Sequence, residues 1–156
     1  MKRLGLLLAC LLLATAAGAA DVRVRAVDAI GMTVSDLDHS LDFYSRILGF
    51  TPVKEVEVAG EAWERLRGVF PLRMRVVRLQ LGGEFLELTE YLAAAGRPAP
   101  PDARSNDRWF QHVAIVVRDE KLGQARPVAI PGHELGFTRG VTVRDPDGHA
   151  LEMVEP

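Results

Sequence analysis

The chain has 156 residues, 48% of them hydrophobic and 26% charged, with a formal net charge of −2. That composition excludes a disordered, collagen-like or coiled-coil protein, and the slightly acidic balance argues against a nucleic-acid partner. A single cysteine, Cys10, leaves no disulfide framework and no thiolate metal cluster.

Met1-Lys2-Arg3 is a positively charged start, and the apolar run from Leu4 to Thr15 is too short to span a bilayer comfortably. Ala17-Gly18-Ala19-Ala20 then supplies the small residues of a cleavage site. Residues 1–20 are expected to be a signal peptide, cut after Ala19 or Ala20. The mature protein is expected to be periplasmic or secreted, without membrane contact once the signal is gone. An uncleaved anchor and a lipidated Cys10 are the weaker alternatives.

Residues 21–91 read as one module. A first strand is expected over about Val22 to Val34, its apolar run starting at Ala29. Asp36 or Asp38 can cap a helix carrying Leu37, Leu41, Tyr44, Ile47 and Leu48, with Gly49 ending it. Strands follow at Pro52–Val58, Met74–Leu81 and Glu84–Tyr91, the last two joined at Gly82-Gly83. The order is βαβββ. Residues 92–108, rich in Ala and Pro, read as a linker. Residues 109–156 form a second module, with room for two helical turns (Glu120–Ala125) and a short strand (Arg126–Ile130).

The halves repeat each other. Gly83-Glu84-Phe85-Leu86-Glu87-Leu88-Thr89-Glu90 aligns with Gly148-His149-Ala150-Leu151-Glu152-Met153-Val154-Glu155. Upstream, Ala29 to Asp36 aligns with His112 to Asp119, each an apolar run closed by V-x-D. Two copies are too few for a solenoid and point to a pseudo-symmetric pair sharing a cleft. The second copy is abbreviated: Ala29 to Glu87 spans about 58 residues, His112 to Glu152 only about 40. Part of its outer face is then poorly covered, which predicts a homodimer or marginal stability. The fold class expected is α+β, with paired βαβββ modules forming a curved sheet around a small-molecule cleft.

Alternate strand residues share a face. One face collects Ile30, Met32, Val34, Leu86, Leu88, Val113, Ile115, Val117, Leu151 and Met153, all apolar and suited to pack on helices. The other is mostly small, and holds Phe85, Glu87, His112 and Glu152 among Ala29, Gly31, Thr33 and Ala114. An apolar hollow with a few convergent polar groups is the usual form of a small-molecule site. Glu87 and Glu152 occupy equivalent positions, and two enclosed carboxylates need help to stay ionised. A divalent cation, a shared proton, or an arginine such as Arg75 or Arg78 would provide it. His112 adds a nitrogen donor, so Glu87, His112 and Glu152 are the candidate metal ligands, suited to Zn, Ni, Mn or Fe(II). Glu87 and Glu152 are also the candidate catalytic residues. The alternative is that His112 is a satisfied core histidine and the glutamates pair with arginines.

Ser40-Leu41-Asp42-Phe43-Tyr44 running to Leu48-Gly49-Phe50, Leu86-Glu87-Leu88-Thr89, and Asp145-Pro146-Asp147-Gly148-His149 before Leu151-Glu152 resemble the vicinal oxygen chelate superfamily. Its members include glyoxalase I, methylmalonyl-CoA epimerase, extradiol dioxygenases, fosfomycin-resistance enzymes and bleomycin-binding proteins. The resemblance implies metal ligands on the first and last strands of each module. It places them at Glu87, His112 and Glu152, and at Ala29, which cannot ligate. It implies metal-assisted lyase or isomerase chemistry, a proton transfer on a small oxygenated substrate, with dioxygenase chemistry ranked lower because only one His is in the set. The alternative is a non-catalytic binding or sequestering protein of the bleomycin-resistance type.

The remaining features have plainer readings. His149 belongs to turn chemistry, His39 to an exposed helix face, and His133 to a Pro-Gly loop at the cleft mouth. Arg65, Arg67, Arg73, Arg75 and Arg78 read as a solvated, salt-bridged strand face, the alternative being recognition of an acidic ligand. Trp109 and Phe110 read as core. No glycine-rich phosphate loop, nucleophile elbow or Cys-x-x-Cys is present.

Overall fold

The structure, a computed structural model, describes residues 23–118, 126–132 and 134–156. Residues 1–22, which include Cys10 and the expected signal peptide, the turns expected at Glu120–Ala125, Asp119 and His133 lie outside the described residues.

The first module runs β1 (Ile30–Val34), α1 (Leu37–Asp42), β2 (Thr51–Ala59), α2 (Glu61–Arg67), β3 (Arg73–Leu81) and β4 (Glu84–Ala93). The second runs β5 (His112–Val116), β6 (Val128–Ala129), β7 (Arg139–Arg144) and β8 (Ala150–Glu155). Each module folds into its own four-stranded sheet, ordered β1-β4-β3-β2 and β5-β8-β7-β6. In both, the first strand runs parallel to the last and the rest are antiparallel. The repeat holds in register: Gly31 faces Glu87 across β1 and β4, and Ala114 faces Glu152 across β5 and β8. The two sheets remain separate and do not close on one another.

Asp36 caps α1 as expected, its carboxylate accepting the His39 N–H at 2.9 Å. The helix then widens into a π-helical turn, Phe43–Ile47, and Gly49, at φ +76°, lets the chain leave it. Two boundaries differ from expectation. β1 begins at Ile30 rather than Val22, because β4, its partner among the described residues, starts at Glu84, just upstream of Leu86, which faces Ile30. Val24 and Val27 are left in solvent. The segment Glu61–Arg67 is a helix, not part of a strand face; Gly60 precedes it at φ +98° and Gly68 ends it in the left-handed conformation.

One core serves both modules. Val34, Leu37, Tyr44, Phe50, Val77, Leu79, Leu86 and Leu88 cluster with Ile115, Leu151 and Met153 of the second sheet. The apolar face read from strand alternation is this core, except that Ile30 stays exposed. Among the described residues the second module has no helix of its own, so its apolar face shares the core built on α1. The fit is incomplete: Phe43, Ile47, Ile115, Val116, Val143 and Met153 border an apolar cavity of about 340 Å³. Trp109, expected in the core, is half exposed, and Phe110 carries the Arg144 guanidinium on its ring at 5.3 Å.

The turn Asp145–His149 fastens the modules together. Asp145 is buried, and its carboxylate accepts from Tyr44 Oη (3.0 Å) and from the backbone N–H groups of Asp147 (3.0 Å) and His149 (2.8 Å). His149 Nδ1 completes the set at 2.8 Å. Asp147 in turn accepts the Ser35 N–H at the end of β1 (3.0 Å). Burial alone would raise the Asp145 pKa, but the His149 hydrogen bond and charge, the turn N–H and Tyr44 together hold it below the ordinary carboxylate value. The hydrogen bond to Asp145 raises His149 against the opposing effect of burial, and burial, followed by the Asp145 charge, pushes the Tyr44 phenol up.

Removing this carboxylate should be costly. Asp145→Ala is expected to lose about 3 kcal/mol in urea unfolding, and Tyr44→Phe about 1. The pH dependence follows from the two directions. The His149 contribution is complete below its unfolded pKa of about 6.5 and is lost as pH rises through the higher folded value. The Asp145 contribution is complete above about 3.8 and is lost as pH falls through the lower folded value. Thermal stability should therefore decline on both sides of that interval, and His149→Asn should flatten the alkaline side. A parent curve already flat through the alkaline range would contradict the latch.

Candidate functional site

The concave face of the first sheet is built in rows. Lys54 on β2 stands opposite Arg78 on β3, which stands opposite Glu87 on β4, and Gly31 on β1 closes the row. The next row is Val56, Val76, Thr89 and Thr33. Helix α2 roofs the far end, bringing Trp63 and Arg67 over Val58 and Met74. Together these enclose a cavity of about 160 Å³ with an apolar floor and Glu87 on its wall.

The charged groups of this face other than Lys54 are paired locally. Arg67 on α2 lies 3.6 Å from the Glu87 carboxylate, and both side chains are about one-third exposed. Arg78 is held in a two-pronged bond to Asp28 (both contacts 2.9 Å) and rests on the Phe85 ring at 4.4 Å. Those bonds raise the Arg78 pKa and lower that of Asp28. Arg75 lies on the opposite face, bound to Asp38 and Glu55, which raises its pKa strongly, so it is no partner for the glutamates. Arg73 pairs with Glu57, and Arg65 with Glu61 one turn away on α2. The arginine stretch is thus largely a salt-bridged surface, as its plainer reading expects. Arg67 and Arg78 are the two that reach the cleft.

On the second sheet, His112 Nε2 lies 3.0 Å from Glu152 Oε2. The pair forms because the two strands run in parallel register, so that both residues occupy one face. Thr142 faces Glu152 where Arg78 faces Glu87, so Glu152 has no cross-strand arginine and turns to His112. Of the three sequence-predicted ligands, the structure brings His112 and Glu152 together and engages Glu87 with Arg67. Among the described residues no three His, Cys, Asp or Glu side chains gather as a metal cage. One imidazole and one carboxylate fall short of the three protein ligands an open catalytic zinc-type site uses. Among the described residues this donor set, as arranged, does not make a three-ligand metal centre.

Helix α2 is the element that sequence reasoning missed, and with it Trp63 and the Arg67–Glu87 pair. A signal was available: a glycine-bracketed E-A-W-E-R-L-R with glutamates first, arginines last and an i,i+4 Glu61–Arg65 pair.

The fold agrees with comparisons to known proteins. The model of the Glyoxalase/Bleomycin resistance protein/Dioxygenase superfamily matches residues 26–153. The chain belongs to that superfamily. A glyoxalase family protein from Bacillus cereus is similar at a TM-score of 0.71 and 18% identity, over 88% of this chain and 97% of that one. The trypanothione-dependent glyoxalase I of Leishmania major is similar at a TM-score of 0.56 and 23% identity, over 85% and 87%. A glyoxalase family protein from Enterococcus faecalis gives a TM-score of 0.56 at 20% identity, over 84% and 98%. At such identities the likeness is one of fold. Among curated proteins, none matches the chain.

If α2 holds the roof in place, loosening its end should open the cavity. Gly68 has φ +68°, so Gly68→Ala should cost about 1 kcal/mol through backbone strain alone. Faster amide exchange confined to 61–68, with the Trp63 signal shifted and the core strands unchanged, would mark the local effect.

Proposed function

We propose that the chain is a small-molecule-binding member of its superfamily, of the non-catalytic, sequestering kind, with its ligand on the concave face of the first module. The observation that carries this reading is the Arg67–Glu87 pair. The carboxylate that metal chemistry would need is instead neutralised by the roof of its own cavity. What remains is enclosed volume, apolar walls and a few fixed polar groups, which is what binding requires.

The second reading is catalytic: a metal-assisted lyase or isomerase acting on a small oxygenated substrate, with Glu87, His112 and Glu152 as ligands and a glutamate as base. The His112–Glu152 pair favours it, since two donors already share one face. This reading requires Glu87 to leave Arg67. Export through removal of residues 1–20 belongs to the proposal as well. So does a homodimer in which a second copy covers the apolar cavity beside Ile47 and Val116.

Two titrations of the protein, purified without affinity histidines, separate the readings. A set of neutral and charged fragments should shift the Trp63 indole resonance. Zn(II), Ni(II), Mn(II) and Fe(II) should bind weakly, and Glu87→Gln should leave that binding unchanged. Stoichiometric metal lost in both His112→Ala and Glu87→Gln would replace the binder with the enzyme. Silence of Trp63 to every fragment would remove the concave face as a binding site.

A further inference from the structure

The charges on the concave face define what it accepts. We infer that its ligand is a small monocarboxylate with an apolar, ring-sized body, a step that rests on the concave face being the binding site.

Lys54 and Arg78 stand directly opposite one another on neighbouring strands, both toward the cavity. Like charges in that relation repel. Arg78 is fixed by Asp28, and Arg67 is engaged by Glu87. The Lys54 side chain, among the described residues, is in no ion pair or hydrogen bond. The cavity therefore presents one unspent cation beside a second that is held still. A carboxylate placed between Lys54 and Arg78 turns their repulsion into two attractions. With Arg78 matched by Asp28 and Arg67 by Glu87, Lys54 leaves one net positive charge for the ligand, which suits a monoanion.

The neighbouring row decides the body of the ligand. Val56 and Val76 form an apolar strip directly beside the charged row, and Trp63 faces it from α2. The cavity volume, about 160 Å³, is close to that of a protein cavity that holds benzene. A ring or short branched chain lies on the valines under the indole while its carboxylate reaches Lys54. A cationic ligand of the same shape meets Lys54, Arg67 and Arg78 together.

Matched acids and amides test this directly. Benzoate and phenylacetate are titrated against benzamide and phenylacetamide at low salt, following the Trp63 indole resonance, with exposed Trp109 as the internal control. Each acid should bind about tenfold tighter than its amide, the gain of a charge-assisted hydrogen bond. Lys54→Met should bring the ratio close to one while amide binding persists, and Lys54→Arg should restore it. A ratio near one in the parent overturns the inference and leaves the cleft standing. A ratio unchanged in Lys54→Met overturns it too, because the preference then has another source. Silence from acids and amides alike overturns both the inference and the concave-face reading.

Discussion

The buried carboxylate of Asp145 is the constraint on which the arrangement of this molecule depends. The two sheets share no strand pair, so no backbone ladder sets one against the other. They share an apolar core, but burial of apolar surface is non-directional and would accept many relative orientations. Asp145 supplies direction. It sits on the second module, yet Tyr44, from the helical segment of the first, must present its hydroxyl to it, while the neighbouring Asp147 catches the backbone at the end of β1. A buried carboxylate left without these donors would be expensive, so the modules dock in the one way that satisfies it.

This explains how an abbreviated module keeps its place. Among the described residues the second half carries no helix, and its apolar face packs into the core built on the helix of the first. Tyr44 does both jobs: its ring lies in the shared core, edge-on to Phe43 and Phe50, and its hydroxyl holds the turn. Beside the π-helical turn the described residues leave an apolar cavity between the helix and the second sheet.

The fold was largely readable from sequence because it rests on short-range periodicity. A period of two sorts Leu86 and Leu88 from Glu87 without further information, and the repeated G-x-x-L-E pattern puts Glu87 and Glu152 at equivalent register, as found. The site was only half readable. His112 and Glu152 meet because they lie on hydrogen-bonded neighbours, a relation the repeat implies. The partner of Glu87 is decided by Arg67, which arrives on a seven-residue helix whose signals are local caps rather than a long apolar stripe. His149 was read as turn chemistry and does belong to the turn. Its half-buried ring bound to Asp145 depends on Tyr44 being opposite, and a pattern confined to five residues cannot state that.

Equivalent positions in the two modules carry different chemistry because their neighbours differ, not because the strands do. Glu87 has Arg78 across the strand and Arg67 above it; Glu152 has Thr142 across the strand and His112 beside it. Where His112 stands in the second module, the first has Ala29, so Glu87 has no imidazole beside it at the equivalent position. A carboxylate on a partly enclosed face must be neutralised by something, and here α2 does it with a guanidinium. Placing α2 there also closes the cavity, lays Trp63 over the valine strip and leaves Lys54 as the charge without a counterpart. The same short helix therefore sets a guanidinium against Glu87 and roofs the cation-edged volume. In this chain those two outcomes are a single structural event.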